Sequence, residues 1–189
     1  MRKNPYIMML PPAPKPISFE FTDELKEWQE ELAQGTFNQP GNKQSLEQKR
    51  NNAMSGVFLE HALILQGAIK NPAKFDKTDE YSYCWDVDWY NYLTEVKRCA
   101  MDDRTNWFTF FSKQVKTMCK NLDIVQLLIV GDYRIMENNM VNVKWLLMSN
   151  PQNFRANMKP CKIQDSDQIR YYYNHHNSET ILIKDCAND

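Results

Sequence analysis

The fold of this chain is decided by the stretch WDVDWYNYLTEVK, residues 85–97, which predicts an antiparallel hairpin. Aromatic and β-branched residues alternate with polar residues over Tyr81–Trp89 and again over Tyr92–Arg98, which is the period of a β-strand. Tyr90-Asn91 stands between the two runs, where a two-residue turn would connect them. The stretch therefore predicts two neighbouring strands joined by a tight turn.

The predicted hairpin places acidic residues and a lysine close together. Because side chains alternate along a strand, Asp86 and Asp88 share one face of the first strand. Glu95 and Lys97 share one face of the second strand. With the turn at Tyr90-Asn91, Asp86 lies directly opposite Glu95, whereas a shift of the turn by one residue puts Asp88 there. Both registers bring two carboxylates and a lysine together.

Two opposed carboxylates repel each other unless a cation lies between them. Oxygen ligands from two carboxylates, with positions left for water and a phosphate oxygen, are typical of a Mg²⁺ site, and Mn²⁺ is a suitable substitute. We therefore expect Asp86 or Asp88, together with Glu95, to bind Mg²⁺. Lys97 would orient or deprotonate an attacking water, or stabilise the charge that builds on a phosphate. This chemistry is the hydrolysis of a phosphodiester bond.

A buried acidic residue is expected in the central helix. Ser45 is a typical N-cap, and apolar residues recur from there to Ile69 at helical spacing. Glu60 is the only formally charged residue between Ala53 and Ile69. Burial of a carboxylate is costly, so Glu60 must pair, take up a proton or serve a site.

The order of the predicted elements favours an α/β fold with a mixed central sheet flanked by helices. Residues 1–20 are rich in proline and predict an extended N-terminal arm, which either lies on the domain or waits for a partner. Residues 21–189 are expected to form a single domain with its core at about 45–148, whereas 149–189 are too polar to place. Besides the hairpin, the patterns predict helices over about 22–33, 45–69 and 102–121, and strands over about 123–130, 141–148 and 179–183.

These residues resemble, in order and spacing, the motif of the PD-(D/E)xK nuclease superfamily. Asp86 or Asp88 resembles the motif aspartate, and Glu95 with Lys97 resembles the Glu-x-Lys pair. The resemblance covers about residues 45–130, and Trp85 stands where the name of the superfamily has proline. Glu-x-Lys occurs three times in the chain, but only this copy lies in a predicted strand.

The resemblance implies a restriction-endonuclease-like core and a function in cutting DNA. Glu60 resembles the acidic residue of the helix that precedes the hairpin in such enzymes, where it assists metal or water binding. The implied catalytic set is Asp86, Glu95, Lys97 and Glu60, and the implied metal ligands are Asp86, Glu95, Asp88 and Glu60.

The helix predicted over about 102–121 has an apolar face and a basic face. Trp107, Phe108 and Phe111 fall on one side of the helical wheel. Three lysines fall on the other side, where a solvated surface is the plainer interpretation and contact with DNA phosphates the functional one. They are Lys113, Lys116 and Lys120.

Composition narrows the class of protein. The chain has 189 residues, 42% of them hydrophobic, and a net charge of −1, which is typical of one folded domain and excludes a generally basic nucleic-acid binder. Its five cysteines form no Cys-x-x-Cys pair, which argues against a disulfide framework and a four-thiolate zinc site. We read neither an export signal nor a membrane span, so a soluble cytoplasmic protein is expected.

The function expected is a Mg²⁺-dependent endonuclease with DNA as partner, and a homodimer would cut both strands symmetrically. Two other classes stay open. One is a non-catalytic nucleic-acid-binding or assembly protein that keeps the nuclease-like fold, and the other is a structural protein that contacts a partner through residues 1–16. A solvated edge hairpin would explain the acidic residues at 86–95 but not Glu60.

Overall fold

The fold is seen in a computed structural model, which describes residues 10–38, 42–72, 85–99, 107–111, 114, 124–150, 160–162, 168–172 and 181–182. Within these ranges two helices and ten strands are present. The strands, in chain order, are β1 (Ile17–Glu20), β2 (Ile69–Lys70), β3 (Val87–Trp89), β4 (Tyr92–Arg98), β5 (Trp107–Phe111), β6 (Leu127–Ile135), β7 (Met140–Ser149), β8 (Pro160–Lys162), β9 (Gln168–Tyr172) and β10 (Ile181–Leu182).

Both helices begin at side-chain caps. Helix α1 runs over Asp23–Phe37 and is capped by Thr22. Helix α2 runs over Leu46–Ile64, and Ser45 and Gln48 exchange hydrogen bonds between side chain and backbone in a capping box. The N-cap predicted at Ser45 is confirmed.

Helix α2 ends earlier than predicted. Gly67 has a φ of +102°, a left-handed conformation that glycine adopts without strain, and its N–H donates to the carbonyl of Ile64. The chain then leaves the helix, so Ile69 lies in strand β2 and is exposed rather than on the apolar face of the helix.

Seven strands form a mixed sheet in the order β1-β7-β6-β4-β3-β2, with β10 also paired to β7. Strands β4 and β6 pair in parallel, and the other described pairs of this sheet are antiparallel. Helix α2 packs on one face of the sheet. The α/β class with a mixed sheet is therefore confirmed.

The segment from Trp107 to Phe111 is a strand, so the helix predicted over about 102–121 is wrong there. Phe108 and Phe110 are buried and Thr109 between them is half-buried, which is the period of a strand. An aromatic run has high strand propensity. The helical wheel that placed Trp107, Phe108 and Phe111 on one side assumes the period of a helix, whereas this segment has the period of a strand. Strand β5 joins β9 and β8 in a second sheet of three strands.

The second half of the proline-rich arm lies on the domain. Strand β1 pairs with β7. The indole N–H of Trp89 donates to the carbonyl of Pro12 at 3.1 Å, and the indole N–H of Trp145 donates to the carbonyl of Lys15 at 2.9 Å. Of the two alternatives for the arm, residues 10–20 follow the one in which it packs on its own chain.

The two faces of the main sheet carry different cores. The first face packs against α2 and includes Val87, Val96 and Trp145. The second face packs Leu128, Val130 and Leu147 against the aromatic residues of β5. In the part of the chain that the structure describes, no helix is both long and apolar enough to cross a membrane.

Candidate active site

The turn of the hairpin fixes which acidic residues meet. Tyr90 and Asn91 have φ angles of 54° and 66°, as a type I′ turn requires, and Trp89 pairs with Tyr92 across it. The predicted two-residue turn is confirmed. This register places Asp88 opposite Leu93, while the carboxylate of Asp86 reaches the main chain of β4 at Val96, the residue after Glu95.

A β-bulge positions Asp86. Val87 pairs with Thr94, and the N–H of Asp86 also donates to the carbonyl of Thr94 at 2.8 Å, so two residues of one strand oppose one residue of the other. The Asp86 carboxylate then accepts a hydrogen bond from the N–H of Val96 at 2.8 Å through Oδ2. The buried Oδ2 of Asp86 thus accepts a hydrogen bond that a backbone carbonyl would accept in a regular antiparallel pair.

Asn71 holds the backbone around Asp86. Its main-chain N–H donates to the carbonyl of Asp86 and its side-chain amide donates to the carbonyl of Trp85, both at 3.0 Å. Asn71 is itself buried. Its sequence context, Asn71-Pro72, signals only the end of a helix, so this role was not predicted.

Glu95 is the most enclosed acid of the hairpin, with 2% of its surface exposed. Its Oε1 forms an ion pair with Nζ of Lys97 and accepts a hydrogen bond from the side-chain amide of Gln114 at 2.7 Å. Gln114 was not singled out in the sequence, because nothing in its neighbourhood marks a contact with a strand 19 residues away. Glu95 and Lys97 lie on the same face of β4, as the alternation of side chains in the sequence predicts.

Lys97 lies between the ion pair and an aromatic ring. Its Nζ is 5.0 Å from the ring centroid of Phe110, and 23% of the side chain stays exposed. The ammonium is therefore held by Glu95 and lies close to the ring of Phe110, in a side chain that is partly exposed.

Glu60 is buried in α2 with 1% of its surface exposed, as its isolation among apolar residues predicts. Its Oε1 lies 3.3 Å from the point where a Cβ of residue 56 would stand, so Gly56 leaves room for the carboxylate. Helix α2 covers the face of β4 that carries Val96, and Glu95 points to the opposite face. The helix that carries Glu60 and the side chain of Glu95 therefore lie on opposite faces of the sheet.

The structure does not gather all the predicted ligands into one cluster. Asp88 pairs with Leu93 and is half-buried, one step further from Glu95 than Asp86 is. Among the described residues no three His, Cys, Asp or Glu side chains are placed to hold a metal ion. The predicted phosphate-contacting lysines, Lys113, Lys116 and Lys120, lie outside the described residues.

The donor set that remains still fits Mg²⁺. This ion is often held by one or two carboxylates, and water and substrate phosphate complete its shell. Asp86 and Glu95, both buried, would supply the two carboxylates, because Oδ2 of Asp86 bonds the N–H of Val96, the residue next to Glu95.

Cys99 lies two residues beyond Lys97 and is no candidate nucleophile. Burial, with the charge of Asp132 as a smaller cause, raises the pKa of its thiol to about 12. A thiol with that pKa holds its proton at neutral pH, so it is inert.

The chain was compared with protein-family models, with curated proteins and with solved structures. None of them matches it.

Proposed function

We propose that this protein is a metal-dependent nuclease that hydrolyses phosphodiester bonds in DNA, with a restriction-endonuclease-like core of the PD-(D/E)xK type. One observation carries the proposal. The carboxylate of Asp86 is bonded to the N–H of Val96, the residue between Glu95 and Lys97. The buried Asp86 carboxylate therefore meets β4 between Lys97 and the buried Glu95.

The topology supports the same core. A helix with a buried glutamate precedes the hairpin, Asp86 directly precedes β3, and Glu95 and Lys97 stand on β4. Strand β6 then pairs in parallel with β4, directly beside the Glu95–Lys97 segment. The order agrees with the resemblance in the motif residues.

Asp86 and Glu95 would hold the ion, which is Mg²⁺ or Mn²⁺. When bound, such an ion polarises a phosphoryl oxygen and makes water a stronger nucleophile. The bulge at Asp86 and the bond from Gln114 to Glu95 fix the two carboxylates before substrate arrives. Fixed ligands lower the cost of reaching the reactive geometry.

Lys97 would act on the water or the phosphate. Its Nζ is paired with Oε1 of Glu95, and part of the side chain is exposed to solvent. At that position it can stabilise negative charge on the phosphate or exchange a proton with the attacking water. The lysine is then the part of the site that separates hydrolysis from simple binding.

A second candidate is a non-catalytic nucleic-acid-binding protein of the same fold. The ion pair of Lys97 with Glu95 favours it, because the lysine already balances the charge that a metal would balance. The two candidates differ in what loss of Lys97 does. A catalyst loses cleavage and retains binding, whereas a binder changes little.

Cleavage of labelled linear, circular and branched DNA tests the proposal. We expect the wild type to cut with Mg²⁺ or Mn²⁺ and not with EDTA, and nicking of circular DNA to identify an endonuclease. Glu95→Gln and Lys97→Ala should each lower the rate by at least about 100-fold, in the range expected for loss of a metal ligand or of a general acid or base.

The matched control is Glu47→Gln, which removes an exposed carboxylate from the first turn of α2 and should leave the rate unchanged. Equal rates in wild type, Glu95→Gln and Lys97→Ala would show that cleavage comes from elsewhere. Absence of cleavage on every substrate would favour the second candidate.

A further inference from the structure

Arg98, the residue after Lys97, has a guanidinium that is fixed by its neighbours. Its Nε donates to Oδ1 of Asp132 at 3.0 Å, and one Nη1–H donates to the hydroxyl of Tyr133 at 3.3 Å. The guanidinium carbon also lies 4.1 Å from the ring centroid of Tyr133. The head group is thus held in one plane, although 35% of the side chain is exposed.

Arg98 retains hydrogen-bonding capacity in this position. A guanidinium has five N–H donors, and the two bonds to Asp132 and Tyr133 leave three that contact no other described residue. A fixed, planar fork of donors is the arrangement that matches a phosphate group.

The guanidinium lies along the edge of β6, just past the described pairs between β4 and β6. Asp132 and Tyr133 are neighbours on β6 and point to opposite faces, so a group that touches both lies beside the strand. Strand β4 covers that edge only as far as Arg98, which pairs with Gly131. Arg98 therefore ends the strand that carries the proposed site.

Two further cations lie on the face of Glu95 and Lys97. Arg134 follows Asp132 by two residues on β6, and Lys144 pairs with Asp132 from β7. Both are exposed. We name Arg98, Arg134 and Lys144 the β6–β7 basic patch.

Among the described residues, the acidic side chains near the β6–β7 basic patch lie mostly toward its far end. Asp132 is the acid at its centre and bonds Arg98. Glu20 shares this face at the level of Met140, and Glu137 lies in the β6–β7 turn, so both stand toward the far end of the hairpin. Counted over the described residues alone, the part nearest the proposed site has two basic side chains, Arg98 and Lys144, and one acidic side chain, Asp132.

The β6–β7 basic patch is close to Lys97. Lys97 pairs with Val130, and Asp132 is two residues further along the same neighbouring strand. One strand spacing of about 4.8 Å and a rise of about 6.6 Å separate the backbone of Lys97 from that of Asp132 by about 8 Å, and the backbones of Lys144 and Arg134 lie about 12 Å and about 14 Å from that of Lys97. The patch thus begins at Arg98, next to Lys97, and extends along β6.

We propose that the β6–β7 basic patch binds the phosphate backbone of DNA next to the cleavage site, with Arg98 as its fixed anchor. The proposal rests on the proposed function, because it takes DNA as the substrate. Arg98 holds one phosphate through its fork of donors, and Arg134 and Lys144 contribute charge to phosphates further along the strand. Such contacts orient the nucleic acid and read no sequence.

Salt-dependent binding to a fluorescent DNA duplex in EDTA tests the proposal without cleavage. Each phosphate contact contributes about 0.9 to the slope of log affinity against log salt. The variant Arg134→Gln/Lys144→Gln should lower the magnitude of that slope by about 1.8, while its urea unfolding midpoint stays that of the wild type. The matched control, Lys43→Gln/Lys49→Gln at the start of α2, should leave the slope unchanged.

Asp132→Asn gives a test of opposite sign. It removes the central negative charge and keeps an oxygen to accept from Arg98, so it should tighten DNA binding and steepen the slope. Unchanged or weaker binding would show that the ion pair of Arg98 and Asp132 is structural and would overturn the role of Arg98.

These outcomes separate the two proposals. A slope that falls in Arg134→Gln/Lys144→Gln, with no cleavage in Mg²⁺, supports the β6–β7 basic patch and contradicts the nuclease. Cleavage by the wild type, with equal slopes in both double variants, supports the nuclease and overturns the patch. A wild type that binds no duplex at low salt in EDTA also overturns the patch, whatever the cleavage assay shows.

Discussion

Lys97→Met is the substitution whose effect follows most directly from the geometry of the site. The variant removes the ammonium that faces Glu95 and keeps most of the apolar volume beside Phe110. Loss of one partner from a buried ion pair costs about 3–5 kcal/mol, because the other charge stays in a poor solvent. Glu95 is fully enclosed but Lys97 is partly exposed, so we expect about 3 kcal/mol, near the lower end.

Urea unfolding and thermal melting measure this loss. In a chain of this size about 1 kcal/mol corresponds to a shift of about 2–4 °C in Tm, so Lys97→Met should melt about 6–12 °C below the wild type. The double variant Glu95→Gln/Lys97→Met removes both charges of this pair and keeps an oxygen for Gln114 to bond. Its free energy of unfolding should return to within about 1 kcal/mol of the wild type.

Mg²⁺ extends the same test to the metal site. In Lys97→Met both carboxylates remain, so Mg²⁺ at about 100 times its Kd should restore about 2.7 kcal/mol. The double variant lacks the Glu95 charge and should gain much less. Two results would contradict a Glu95 charge that Lys97 or Mg²⁺ balances. One is a free energy of unfolding of Lys97→Met within about 0.5 kcal/mol of the wild type, and the other is equal stabilisation of the single and double variants by Mg²⁺.

Three further predictions concern the supports of the site and the fold. Asp86→Ala leaves the buried N–H of Val96 without its acceptor and should lower the free energy of unfolding in urea by about 2 kcal/mol. Asp86→Asn keeps an acceptor and should lose mainly Mg²⁺ binding. Equal losses of stability in the two variants would contradict the bulge geometry. Burial lowers the pKa of His61, so the folded chain binds fewer protons and stability should fall as pH drops through about 6.5; His61→Gln should lose less stability between about pH 7.5 and about pH 5.5, and parallel losses would exclude this cause. Trp145→Phe removes the hydrogen bond to the carbonyl of Lys15 and should lower Tm by about 2–4 °C, which an unchanged melt would contradict.

The hairpin could be predicted because its signals are local. Strand period, a two-residue turn and the side-chain faces are all set within residues 85–97, and the φ angles of Tyr90 and Asn91 agree with them. The cap at Ser45 is local in the same way, since capping partners lie three residues apart. The burial of Glu60 also followed from its apolar neighbours.

Other features depend on residues that are far apart in the chain. The aromatic run of β5 fits a helical wheel, and its pairing with β9 decides the strand. Gln114 reaches Glu95 from a segment whose pattern marks no contact with β4. Which face of the sheet is covered by α2, the helix that carries Glu60, is fixed by packing.

The register between β6 and β7 also depends on packing. It shifts between Val130 and Gly131, where a Cβ would come within 2.8 Å of the ring of Trp145. Glycine is needed there for a close approach, which is invisible until the two strands are paired. After the shift, Lys144 pairs with Asp132, and this pairing places Lys144 in the β6–β7 basic patch.

Isothermal titration calorimetry with Mn²⁺ tests whether Asp86 and Glu95 bind a metal ion, and it does so without substrate. We predict that the wild type binds Mn²⁺ and that both Asp86→Asn and Glu95→Gln weaken binding by at least about tenfold, while each variant stays folded by circular dichroism. A wild type that binds no Mn²⁺, or variants that bind it as tightly as the wild type, would contradict a metal site between β3 and β4.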